Sequence, residues 1–206
     1  MKIRNKLLLF ILAASCALTV TADEAGFGDH PASHLSEKDF KARGIAGLDR
    51  LQEDNVQAAC NHLGNALPKP VVQALEQAQL AAIQYPADGK FLGNWKSGEK
   101  IAQSGRGMMW SDKPDTENGG NCYNCHQVSK AETSFGTIGP SLNQYGALRG
   151  NSLEIQKYTY GKIYNAKAFN LCSHMPRFGH VKALTEQQIK DLVALLLDPE
   201  SPVNQK

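Results

Sequence analysis

Five residues, Cys122-Tyr123-Asn124-Cys125-His126, restrict what this chain can become more than any other part of its sequence. Two cysteines with a two-residue gap lie about one helical turn apart, so both sulfurs face the same side, and the next residue adds an imidazole. Three chemistries use such a pair. A zinc site needs two further ligands at comparable spacing, and neither Cys60 nor Cys172 has a neighbouring cysteine to complete one. A dithiol redox pair follows a strand and opens a helix, whereas Asn118-Gly119-Gly120-Asn121 reads as a loop. The third is covalent attachment of a c-type haem, in which each thiol adds to a vinyl group and the adjacent histidine takes an axial position on the iron. One haem c is therefore expected, carried on Cys122 and Cys125 with His126 as its proximal ligand.

The first residues set the compartment. Lys2, Arg4 and Lys6 form a basic start, Leu7 to Leu18 an apolar run of 12 residues, and Val20-Thr21-Ala22 a small-residue cleavage site. Residues 1–22 read as a signal peptide, which makes the mature protein periplasmic. The run is shorter than the roughly 20 residues a spanning helix needs, so no membrane span is expected. A lipoprotein signal competes, with Leu12-Ala13-Ala14-Ser15 preceding Cys16 as the lipidated residue, although Ala13 stands where such signals usually have leucine. Cleavage after Ala22 removes three basic and no acidic residues and takes the formal charge from +2 to −1. With no cluster of lysine and arginine interleaved with aromatics, nucleic-acid binding is not expected. At 206 residues, 42% hydrophobic and 20% charged, the chain suits one ordinary globular domain with a smaller annex.

Downstream of the motif the sequence supplies the rest of a haem crevice. Gly136-Thr137-Ile138-Gly139-Pro140-Ser141-Leu142 follows by a short loop, and the Pro140 carbonyl is placed to accept the imidazole Nδ1–H, fixing the ring and raising its basicity. The sixth ligand must come from farther along. Met175, in Cys172-Ser173-His174-Met175-Pro176-Arg177-Phe178-Gly179, is the preferred candidate, because Pro176 breaks regular structure directly after it. His174 competes and would give a bis-histidine centre. Met108 and Met109 lie on the wrong side of the motif and are read as packing residues.

Thr185-Glu186-Gln187-Gln188 forms a capping box, followed by Ile189, Leu192, Val193 and Leu196 at helical spacing until Pro199. A second short helix is expected over Ser97 to Ser104, crossing the first. The fold class expected is all-α, a class I cytochrome c fold over residues 89–206 with an N-terminal helical extension over 23–88. In the extension, helices are expected over Asp49 to Leu63 and Val71 to Tyr85, separated by Leu67-Pro68-Lys69-Pro70. Leu75, Ala78, Gln79 and Ala82 make only a weak stripe, too little for an independent core, so the extension should wrap the haem domain or a partner. Ser104-Gly105-Arg106-Gly107 and Trp110 read as structured loop with a packing role.

Several stretches are more particular than the haem motif: 89–107, Gly-Asn-Cys-Tyr-Asn-Cys-His (120–126), Gly-Thr-Ile-Gly-Pro-Ser-Leu (136–142), the 164–179 segment with its Met-Pro-Arg-Phe-Gly ending, and Leu-Asp-Pro-Glu-Ser-Pro-Val-Asn (197–204). In these the chain resembles SoxX, the monohaem subunit of the SoxAX cytochrome complex of bacterial thiosulfate oxidation. The resemblance implies a SoxA-type haem subunit as partner in a heterodimer, and a SoxYZ-type carrier whose cysteine receives thiosulfate in an L-cysteine S-thiosulfotransferase reaction. It also implies a soluble cytochrome c as electron acceptor. The catalytic cysteine would belong to the partner, leaving this chain a non-catalytic haem subunit with no catalytic residue of its own. SoxX proteins differ in whether they carry an extension, which implies that residues 23–88 are not essential to the chemistry. A free-standing electron carrier is the alternative function; a haem sensor or peroxidase would need an exchangeable sixth ligand. In an oxidising compartment Cys60 and Cys172 are expected to pair. Two buried free thiols, or a thiol serving sulfur chemistry, are the other possibilities.

Overall fold

The computed structural model describes residues 39–205. Residues 1–38, which hold the expected signal peptide and Cys16, lie outside the described residues. Among the described residues there are six α-helices and several single 3₁₀ turns: α1 (Asn55–Leu63), α2 (Lys69–Ala81), α3 (Trp95–Gln103), α4 (Tyr145–Arg149), α5 (Leu153–Tyr164) and α6 (Glu186–Leu197). Among the described residues there is no β-strand, only an isolated bridge between Arg43 and Ala46. The all-α expectation holds.

Helix α6 is the centre of the larger core. Thr185 caps it through the expected capping box with Gln188, which removes unpaired N–H groups from its first turn. Every residue from Asp191 to Leu197 is buried, so α6 is covered on all sides rather than along one stripe. Helix α3 crosses it at Gly98, where a Cβ would stand 2.1 Å from the Asp191 carbonyl oxygen. Only glycine permits that approach. Asn94 caps α3 by accepting from the N–H groups of Lys96 and Ser97, starting the helix two residues ahead of the expected Ser97. Helix α5 closes a third side, and Tyr160 on it meets Tyr85, Phe91 and Tyr164 in a contiguous aromatic group.

The extension departs from its expected boundaries. Leu48–Leu51 is a separate 3₁₀ turn, and α1 begins only at Asn55 because Asp54 and Gln57 form a capping box there. Pro70 falls inside the first turn of α2, where its missing N–H is no loss, and α2 ends at Ala81 rather than Tyr85. Of the weak stripe, Leu75 and Gln79 are buried while Ala78 and Ala82 are exposed. A second, smaller core gathers Val56, Ala59, Leu67, Leu75 and Leu171, with Cys60, Val72 and Cys172 at its edge. Leu171 belongs to the C-terminal half, so the extension packs directly on the segment that carries Met175. Cys60 and Cys172 are joined in a disulfide across 112 residues.

Met108, Met109 and Trp110 correct another expectation. They are exposed, with Met109 at 55%, so they do not pack in a core. Trp110 instead lies under the Arg43 guanidinium, 3.8 Å from its ring centre.

Candidate haem site

The Cys-x-x-Cys-His segment is a single 3₁₀ turn, Cys122–Asn124, entered through Asn121 in the left-handed region. The N–H groups of Cys125 and His126 both donate to the Cys122 carbonyl, at 3.1 and 2.9 Å, so the turn folds back on itself and groups the two thiols with the imidazole. Tyr123 points inward, buried, with its hydroxyl 3.3 Å from that of Ser129. The following loop is laced onto the turn by three backbone bonds: Gly136 N–H to Tyr123, Gly139 N–H to Cys125, and Leu142 N–H to Gln127. Those bonds deliver the Pro140 carbonyl to 2.7 Å from His126 Nδ1. The ring can donate there, leaving Nε2 unprotonated for a metal. Gly139 is required by the same closeness, since a Cβ on it would come 2.2 Å from the imidazole Cε1.

Cys122 and Cys125 are both half-buried, and neither is joined to another cysteine. Burial pushes the Cys122 thiol up to about 12, with the Cys125 sulfur adding to the rise. A dithiol oxidoreductase needs the opposite, a thiolate at neutral pH, so the redox-pair reading finds no support in the electrostatics. Cys122 packs against the main core together with Met175, Leu142, Tyr164 and Phe178. Met175 is half-buried there, and its N–H donates to Ser173 Oγ. Its neighbour His174 is exposed. Two unpaired thiols, an oriented imidazole and a thioether packed on the same core as the first thiol form a donor set that fits a covalently held haem.

The segment around Met175 has support that no local sequence signal announces. Arg177 is 8% exposed, and its guanidinium lies 2.5 Å from the Asp54 carboxylate. Burial alone would raise Asp54, but the Gln57 N–H and the Arg177 charge outweigh it and hold the carboxyl below its ordinary value. His180 is pushed down by burial and by Arg177. The pattern Asp54-x-x-Gln57 is itself a helix-start signal and was legible; that it would also receive Arg177 was not. A cleft of about 610 Å³ opens beside this segment, lined by Gln57, Cys60, Lys167, Cys172, Met175 and Arg177. A second, of about 780 Å³, lies around Lys100, Arg106 and Asp112 and includes no residue of the haem motif.

Fold and site together define a c-type cytochrome of the class I fold. Residues 116–198 match the model of the cytochrome c family. An uncharacterized lipoprotein of Aquifex aeolicus (strain VF5) is 38% identical over 155 residues, 74% of this chain and 73% of that protein. The chain carries a cytochrome c domain over residues 116–198 and belongs to one family with this Aquifex relative. Among solved structures, that of SoxXA from P. pantotrophus is similar at 25% identity over 52% of this chain and 82% of that one, with a TM-score of 0.38. At that score the match describes no shared overall arrangement, and the resemblance to SoxX rests on the sequence segments given above. No helix among the described residues is long and apolar enough to cross a membrane.

Proposed function

We propose that this chain is the electron-transfer haem subunit of a SoxAX-type complex. A haem c held by Cys122 and Cys125 would supply reversible one-electron chemistry, and the protein's part is to fix both axial positions. His126, oriented by Pro140, would be one ligand to the haem iron, and Met175, packed on the same core as Cys122, would be the other. The single observation that supports the reading is the His126 imidazole held on the Pro140 carbonyl, with the Met175 thioether packed on the same core as Cys122; with both as ligands, a substrate would reach the metal only by displacing one. A thioether opposite an imidazole also favours the reduced state more than a second imidazole would. The sulfur chemistry is therefore assigned to a SoxA-type partner. Joining thiosulfate to a carrier cysteine makes one S–S bond and releases one proton and two electrons, which this subunit would pass singly to a soluble cytochrome c.

The test is thiosulfate-dependent reduction, assayed with the chain produced alone and with a SoxA-type haem subunit. Reduction only in the pair, with co-purification of the two, is the expected outcome. Reduction of the isolated chain by thiosulfate would overturn a relay-only role, and a chain that never associates with a haem partner would return the free-standing carrier.

Residues 1–22, read as a signal peptide, support a periplasmic location. The name of the Aquifex relative favours a second way of reaching that location, lipidation at Cys16 after Leu12-Ala13-Ala14-Ser15. Intact mass of the mature protein separates them: one product begins at Asp23, the other at Cys16 with added acyl mass.

A further inference from the structure

The segment bearing Met175 is fastened to one helix at both of its ends. At one end Cys172 is bonded to Cys60, in the last turn of α1; at the other Arg177 is paired with Asp54, the residue that caps the start of α1. Six residues of helix rise about 9 Å, a span well within the roughly 17 Å that the five-residue step from Cys172 to Arg177 could reach if fully extended. The guanidinium end is the more elaborate. One nitrogen of Arg177 faces Asp54 and lies 3.5 Å from Gln79 Oε1, and the other donates to Gln57 Oε1 at 3.3 Å. Gln79 Oε1 in turn accepts from Asn165 Nδ2 at 3.0 Å, where α5 ends. Helices α1, α2 and α5 thus converge on one buried side chain two residues from Met175, with only the rigid Pro176 between. Lys167, also buried, and His180 stand near the same pair and are both pushed towards their neutral forms by burial and by Arg177.

The geometry points to Arg177, seated on Asp54 and Gln57, as a positioning residue for the sixth ligand: the extension is the brace that holds Met175 in place. This rests on the reading of Met175 as that ligand. It revises the expectation that the extension is not essential to the chemistry, since three of its residues, Asp54, Gln57 and Gln79, hold the guanidinium and a fourth, Cys60, forms the disulfide. An arginine serving stability alone would need the ion pair but no particular link to ligation. Here the residue that carries the guanidinium lies two positions along the backbone from Met175, with only Pro176 between.

The test uses the full haem-loaded protein and four variants: Arg177→Gln, Arg177→Lys, Asp54→Asn and Met175→Ala, with Asp88→Asn breaking a surface ion pair to Lys190 as control. Three readouts are taken: the near-infrared methionine-to-iron band of the oxidised protein, the affinity for added imidazole, and circular dichroism. Wild type should show the band and Met175→Ala should lack it; a wild type without the band, unchanged by Met175→Ala, would overturn the ligand reading itself. Given the band, Arg177→Gln and Asp54→Asn should bind imidazole at least tenfold more tightly than wild type with helix content kept. Arg177→Lys should fall between, because it keeps the charge and loses the fork. Asp88→Asn should not move imidazole affinity. If Arg177→Gln and Asp54→Asn lower the melting temperature yet leave the band and the imidazole affinity at wild-type values, the brace is only structural and the inference falls. Should Arg177→Gln fail to fold, the isosteric Asp54→Asn decides alone.

Discussion

The two residues proposed as axial ligands are supported in opposite ways. His126 is held by its own neighbourhood: the carbonyl that receives its ring is 14 residues away, and the three backbone bonds that place that carbonyl all lie within residues 123–142. Met175 is held by partners that sit far off in sequence, Gln79 at 98 residues from Arg177, Gln57 at 120, and Cys60 at 112 from Cys172. Local contacts cost little loop entropy and form whenever the segment does, whereas distant ones exist only while both halves of the chain are folded. The proximal side should therefore survive insults that release the distal side. A haem protein built this way can lose its sixth ligand without losing its fifth.

The widest test of that asymmetry removes what the two sides share. In the double variant Cys122→Ala/Cys125→Ala no thiol remains to add to the porphyrin, so covalent haem should be lost completely, read as the absence of a haem-stained band after denaturing electrophoresis. Retention of that band would mean attachment elsewhere in the chain. The next largest effect falls on the distal side alone. Cys60→Ser/Cys172→Ser frees a crosslink spanning 112 residues, worth about 4 to 5 kcal/mol on the loop-entropy estimate. In a urea titration the methionine-to-iron band should then disappear well before the helical signal and the proximal ligation. Coincident loss of all three would break the comparison, because it would make the two sides one cooperative unit.

How much of this was legible beforehand follows the same division. The haem motif, the Gly-x-x-Gly-Pro loop and the cap at Thr185 are signals contained within a few residues, and α6 starts where its capping box says. Helix α3 was misplaced by two residues because Asn94, an equally good cap, lay just outside the stretch considered. The extension was harder. Its helices carry few buried side chains, and exposed Val71 and Leu80 on α2 blur any apolar stripe. What fixes it is a disulfide and an ion pair whose arginine is buried, and pairing between Asp54 and Arg177 leaves no periodic trace in a single sequence. Met108 and Met109 misled for the converse reason: methionine is read as a core residue by composition, yet these two lie in a turn at the surface.

A smaller perturbation sharpens the proximal half. Gly139→Ala places a methyl group where the His126 ring already stands, so either the loop retreats or the ring turns, at a cost of about 1 to 3 kcal/mol. Because Gly139 N–H also donates to Cys125, a retreating loop withdraws the Pro140 carbonyl as well. The urea midpoint of the helical signal should fall while imidazole affinity at the distal side stays near wild type. A variant that instead opened the distal side would show that the two supports communicate.

The smallest effect is expected from pH, and it should act on the distal side only. Asp54 is held below its ordinary value, so its contribution is present above about pH 3.9, the unfolded carboxylate value, and is lost as pH falls through the depressed folded value. His180 is also depressed, which means the unfolded chain takes up that proton first. Stability should accordingly begin to decline as pH drops below about 6.5, and stop declining once the folded imidazole is protonated too. Arg177 contributes to both shifts, after burial in the case of His180 and after the Gln57 N–H in the case of Asp54, by repelling a proton on the imidazole and attracting the carboxylate. Acid thus weakens the same cluster in two stages, the upper one belonging to His180 and the lower to Asp54. Urea midpoints measured from pH 7 to pH 3 on wild type, His180→Gln and Asp54→Asn separate them: His180→Gln should flatten the upper stage and leave the lower. If His180→Gln follows the wild-type curve throughout, the imidazole contributes nothing to acid sensitivity. The distal brace then depends on the carboxylate alone.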